Sequence, residues 1–290
     1  MTFTSSQLGE ATGLLVPALA GGWTAQLPRA VPGGPPARVN AFDAMTFGAA
    51  GLAGPALAGG VAEALGAPAA VLVAGVLIGL AVPAAWRLPG APGGREAGVT
   101  VGDLVAGARF VLGDPALARA TLTSAGCCVA QGMLTACVPL LGERALGGAA
   151  RGAMLLSCAA ASGLAANAVL ARRAVMAPDA VIRTSALVQA AALALAASGR
   201  PAVLVVAALL AGAGEGPQLT ALFTVRHRES PDHLRGRIST TGASLKTTGL
   251  AVGAALAGPL AGRSLSGTLL LASGVAAAAG LRGARSAERW

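Results

Sequence analysis

The sequence has no tyrosine, a single lysine, two histidines and only 11% charged residues in 290. An ordinary soluble domain carries about 25% charged residues, so the chain lacks the polar coat that a soluble globule of this length needs. Five phenylalanines and three tryptophans are too few to interleave with basic residues in the way that stacks single-stranded nucleic acid. The net charge of +9 comes from 20 arginines and one lysine that fall at intervals between apolar stretches, a layout that argues against a nucleic-acid partner. Cys127, Cys128, Cys137 and Cys158 have neither CxxC spacing nor a nearby histidine and read as small buried residues. His227 and His233 lie together in one loop, with no carboxylate-rich shell beyond Glu229 and Asp232; they read as solvated loop residues, and no metal site is expected. No Walker-type glycine loop is present, which excludes ATP-driven chemistry of that kind. Nor is there a nucleophile with a base, or a pair of acids, at depth in an apolar segment, so neither an enzyme nor a cofactor is expected. The opening MTFTSSQLGE has no basic region ahead of an apolar one, and no signal peptide is expected.

What the chain does have is apolar length. Stretches of about 20 residues with at most one charge mark membrane-spanning helices. Nine are found, at 11–28, 40–62, 67–86, 120–141, 152–171, 184–199, 202–225, 239–262 and 264–281. A soluble bundle made alanine-rich by codon bias would place polar residues every three or four positions, and the stretches 67–86 and 264–281 contain no charge at all. The expected fold class is therefore all-α and integral to the membrane, with no room for a separate soluble catalytic domain. Pro55, Pro139, Pro217 and Pro259 interrupt spans, as membrane helices tolerate when neighbours satisfy the freed backbone.

Basic residues set orientation, because arginine and lysine concentrate in short cytoplasmic loops. Taking alternate connections together, 17 basic residues fall on one side and Arg144, Arg151, Arg200 and Arg263 on the other. This predicts a multi-pass protein of the plasma membrane with a cytoplasmic C-terminus and Met1 outside. The longest connection, residues 88–115, is Gly/Pro-rich and then amphipathic, and reads as a cytoplasmic linker. It divides the chain into 1–87, with three spans, and 116–290, with six.

Residues 29–59 align without gaps to 228–258, an offset of 199. Arg29/Arg228, Pro32/Pro231, Arg38/Arg237 and Gly54/Gly253 coincide, and ALAG closes both copies. Each copy is a basic loop with a proline followed by a glycine-rich span, six spans apart. Parallel repeats of six spans relate the halves of one large transporter class.

On these residues the chain resembles the major facilitator superfamily. ARVNAFDAMTFGAAGLAGPALAGG looks like the family's loop and fifth helix, and HRESPDHLRGRISTTGASLKTTGLAVGAALAG like the equivalent loop and eleventh helix. LVAGARFVLGDPALARATL resembles the approach to the seventh helix. The resemblance implies a two-bundle transporter working by alternating access, and makes the nine spans helices four to twelve, with the first three missing. The Gly-Asp-Arg loop of the family's first half is then absent, and its counterpart here, ARRAVMAPDAVIR, keeps Arg172 and Arg173. Gly51, Gly54, Pro55, Gly59 and Gly60 resemble the fifth-helix signature of proton-antiporting exporters, although three residues separate Pro55 from Gly59 where that signature has two.

Ionisable groups inside a membrane span are functional candidates by default. Glu215 lies deepest, beside Gly214, Gly216 and Pro217; Asp43 and Lys246 lie nearer the cytoplasmic face, where an ion pair, a helix-start interaction or snorkelling also accounts for them. Mid-span Gln131, Asn167, Gln189 and Gln218 are candidate substrate contacts or interhelical glue. Arg38, Arg237, Arg29 and Arg228 are candidate gate residues as well as topology determinants. The expected function is secondary transport, as an exporter of small organic molecules with the proton as candidate coupling ion and the lipid bilayer as surroundings. The alternative is a truncated, non-transporting membrane remnant or accessory membrane protein.

Overall fold

A computed structural model describes residues 23–25, 27, 36–86, 101–172, 177–231 and 234–285. The described elements are all helices: α1 (Pro36–Leu65), α2 (Ala67–Trp86), α3 (Val101–Gly113), α4 (Pro115–Leu141), α5 (Ala149–Ala171), α6 (Pro178–Ala196), α7 (Pro201–Glu229), α8 (Arg235–Arg263) and α9 (Leu265–Arg285). Residues 23–25 and 27 are also helical. Eight of the nine expected spans coincide with α1, α2 and α4–α9, 184–199 overrunning the end of α6 by three residues and 264–281 beginning one residue before α9; the first, 11–28, lies mostly outside the described residues. Among the described helices, five are long and apolar enough to cross a membrane: Pro115–Leu146, Arg151–Ala171, Pro178–Ala196, Pro201–Glu229 and Leu265–Arg282. The protein is thus an all-α, multi-pass membrane protein.

Local signals explain where these helices begin. Asp114 adopts extended backbone and its carboxylate accepts the Leu117 amide at 2.8 Å, with Pro115 in the first turn where no amide is needed. Pro178 and Pro201 likewise sit in the first turns of α6 and α7, although Ala177 and Arg200 ahead of them make no side-chain cap. Between α6 and α7 the chain turns through Gly199 at φ +65°, a left-handed conformation that costs glycine least. After α4 a single π turn, Gly142–Leu146, ends on Gly147 at φ +78°.

The helices approach closely where glycines recur at four-residue spacing. Gly249 and Gly253 of α8 lie against the Ala125 and Val129 carbonyls of α4, and a Cβ on Gly253 would collide with the latter. On α7, Gly212 and Gly216 meet the Ala159 and Gly163 carbonyls of α5 with equally little room. Such small-xxx-small faces let backbones pack in lipid, where apolar side chains gain little by meeting one another. The core has two parts. Met133, Cys137, Leu204 and Leu269 fill one end, and Val111, Leu117, Leu222, Val225 and Ile238 the arginine-rich end. By contrast Val71, Leu72, Ile78 and Leu80 of α2 are exposed, as a lipid-facing helix requires. α1 packs on both α5 and α7, and so joins the N-terminal part of the chain to the C-terminal helices.

Two sequence expectations change. The basic segment after the seventh span is helical to Glu229, so Arg226, His227 and Arg228 belong to the last turn of α7 rather than to a loop. Similarly α8 begins at Arg235 rather than 239. A span drawn where charge begins measures hydrocarbon depth, whereas helical hydrogen bonding continues through the headgroup region.

Candidate functional site

α7 organises the polar interior because it presents hydrogen-bonding side chains on two faces. Glu215 and Gln218, three residues apart, share one face, while Thr220, Thr224 and His227, at i, i+4 and i+7, share another.

On the first face Gln131 of α4 donates to Glu215 Oε2 at 2.6 Å. Gln189 of α6 donates to Gln218 Oε1 at 3.2 Å, and Gln218 Nε2 approaches Cys127 Sγ at 3.3 Å. Lys246 of α8 is half-buried. Among the described residues no ion pair joins Lys246 to Glu215. The glycines beside Glu215 have a packing cause: Gly214 lies against the Ser185 carbonyl of α6 and Gly216 against the Gly163 carbonyl of α5.

The second face forms a chain that leaves the C-terminal helices. Thr220 donates to Asn167 Oδ1 of α5 at 3.0 Å, and Asn40 of α1 donates to Thr224 Oγ1 at 3.1 Å. His227 places Nδ1 2.8 Å from Asn40 Oδ1 and Nε2 2.9 Å from the Thr24 carbonyl. The Thr24 hydroxyl and the Trp23 indole N–H donate to Asp43 at 3.0 and 2.8 Å. Asp43 is 3% exposed, and among the described residues neutral donors, not a cation, hold it. His227 is thus no solvated loop residue: both ring nitrogens are engaged with the other part of the chain. His233 lies outside the described residues.

Arg226 is the group that sequence reasoning missed. It reads as a loop arginine, yet it is 2% exposed, its guanidinium rests on Gly242 of α8, and among the described residues Nε and Nη2 have no partner. The buried hydroxyls of Thr121, Ser239 and Thr241 are likewise without partners there. Only the helical extension of α7 would have revealed it, by bringing position 226 onto the buried Leu222 side of the helix.

The remaining candidates are scattered. Arg38 is exposed and stands over the Phe42 ring at 5.7 Å. Arg228 pairs with its neighbour Glu229 at 2.6 Å, half in solvent. Arg237 is exposed, and its backbone carbonyl lies near Gly107 of α3. Arg29 lies outside the described residues. Gly51 and Gly54 of α1 face open space; the surroundings of Pro55, Gly59 and Gly60 lie outside the described residues.

Comparison with known proteins agrees with this architecture. Residues 10–254 match the family model described as Major Facilitator Superfamily. The chain is also similar to a protein of Sinorhizobium fredii described as an uncharacterized MFS-type transporter, at 28% identity over 254 residues, which is 85% of this chain and 62% of that relative. The chain thus spans less than two thirds of the relative's length.

Proposed function

The chain belongs to the major facilitator superfamily, and from that premise we propose that it serves secondary transport of small organic molecules, in the export direction and coupled to protons. The observation that carries this reading is the polar traffic on α7. Its Glu215 face, with Gln131, Gln218 and Lys246 nearby, offers hydrogen bonds and both signs of charge at membrane depth, where each such group is costly unless used. Its His227 face bonds to Asn40 and Thr24, so the helix that bears the candidate substrate groups also ties the two bundles together. Asn167 belongs to this tie through Thr220. The arginine-rich end would face the cytoplasm of a plasma-membrane protein, with the C-terminus inside. On this reading the tie between α1 and α7 holds that end together, and substrate would approach from the opposite side until rocking breaks the tie.

Vesicles containing the purified chain provide the test, with ethidium as an organic-cation probe and fluorescein as an organic-anion probe. Gradient-driven movement of one probe, reduced about tenfold or more by Glu215→Gln as expected for loss of a coupling group, supports the reading. Transport that is unchanged in Glu215→Gln and Asp43→Asn removes the proposed roles of both acids. Movement of neither probe above protein-free vesicles, with or without a pH gradient, favours the non-transporting alternative.

A further inference from the structure

A groove of about 740 Å³ separates α4 from α9 at the arginine-rich end. Leu122, Gly126, Val275 and Ala278 line its apolar length, and Arg119 and Arg282 stand beside it. Thr123 offers no free donor, because its hydroxyl already donates to the Ala279 carbonyl at 3.2 Å. A smaller cavity of about 110 Å³ shares Arg119 and adds Arg183 and Asp179 from α6. Among the described residues, Arg119 and Arg282 thus line the apolar trough, and Arg119 also borders the neighbouring cavity that holds Arg183 and Asp179.

We propose that this groove binds an anionic phospholipid, its phosphate among Arg119, Arg183 and Arg282 and one acyl chain against Leu122, Gly126 and Val275. Three features select that occupant. Leu122 and Leu281 on the two bounding helices are 54% and 53% exposed, so the trough opens sideways toward lipid rather than toward the polar interior. Guanidinium groups bind phosphate oxygens bidentately and are weakly hydrated, which suits a headgroup at the membrane interface. Arg119 and Arg183 already outnumber Asp179 beside the trough, which favours an anionic lipid over a zwitterionic one, as basic pockets between membrane helices do generally. Only the leaflet depends on the orientation proposed above; binding itself does not.

Native mass spectrometry of the detergent-purified full chain, with phosphatidylglycerol and phosphatidylcholine of identical acyl chains, tests the assignment independently of transport and orientation. Phosphatidylglycerol should be retained preferentially. Arg119→Gln with Arg282→Gln should weaken it about thirtyfold, the worth of two arginines at an anionic surface, while Arg144→Gln with Arg200→Gln at the opposite end leaves it unchanged. Ala278→Trp, which fills the trough from its exposed side, should reduce retention to a similar extent, with unaltered elution and helicity showing that each variant folds. Equal retention of the two lipids, or full retention by either the arginine pair or the tryptophan variant, overturns the proposal.

Discussion

Two buried guanidinium nitrogens of Arg226, Nε and Nη2, have no partner among the described residues. Leaving a buried donor unsatisfied costs about 1–3 kcal/mol, and more when it is charged. Arg226 lies flat against Gly242, where no side chain would fit. Arg226→Met, which keeps the length and loses the charge, is therefore expected to raise stability by about 1–3 kcal/mol, read as a higher midpoint of thermal unfolding in one detergent. Gly242→Ala should lower it, because the new methyl group meets the guanidinium. Arg226→Ala should relieve that collision, so the two substitutions together should cost less than the sum of each alone. A Met variant less stable than the parent would show that the arginine has a stabilising partner after all.

Helices were the most legible level of this sequence, and their ends the least. Charge-free length located eight of the described helices because lipid forbids charge across a thickness of about 30 Å. It could not see that α7, at 29 residues, runs about 43 Å at 1.5 Å per residue. The surplus carries Arg226 and His227, and so both were read as loop residues. Within the helices Glu215, Gln131, Gln218 and Asn167 stood out as polar residues in apolar company. Their partners did not, since Gln131 and Glu215 are 84 residues apart and pair only through the packing of α4 on α7. The glycines behave the same way: the repeat in α8 was plain, but which glycines touch α4 was not. That distinction is testable within one helix. Gly253→Ala drives a methyl group into the Val129 carbonyl and is expected to cost about 1–3 kcal/mol by overpacking. Gly262→Ala meets nothing within 4 Å and should be neutral, or stabilising by about 1 kcal/mol through helix propensity. Equal effects on the thermal midpoint would mean that α4 and α8 are not packed this closely.

At the scale of the molecule, the question is what resists relative motion of the two bundles. α1 meets the C-terminal helices along α5 and α7, and the polar part of that contact runs through Asn40, Thr224, His227 and Thr24. These are few bonds, each worth about 0.5–1.5 kcal/mol net, which suits a contact that can open more readily than a fixed domain interface. His227 is its centre, because a single ring links α1 to the Thr24 backbone; Asp43 secures the far side by holding Thr24 and Trp23. His227→Ala removes both links at once and leaves α7's packing on α5 intact. Amide hydrogen exchange should then accelerate in the first turns of α1, at residues 36–48, and in the last turn of α7. Protection along α4 and α8 should stay constant, because local opening draws on local contacts. Asn40→Ala, which keeps the bond to the Thr24 carbonyl, should produce a smaller change in the same segments. If neither variant alters exchange at this end, this contact is held by apolar packing, and the hydrogen-bonded chain does not govern its opening.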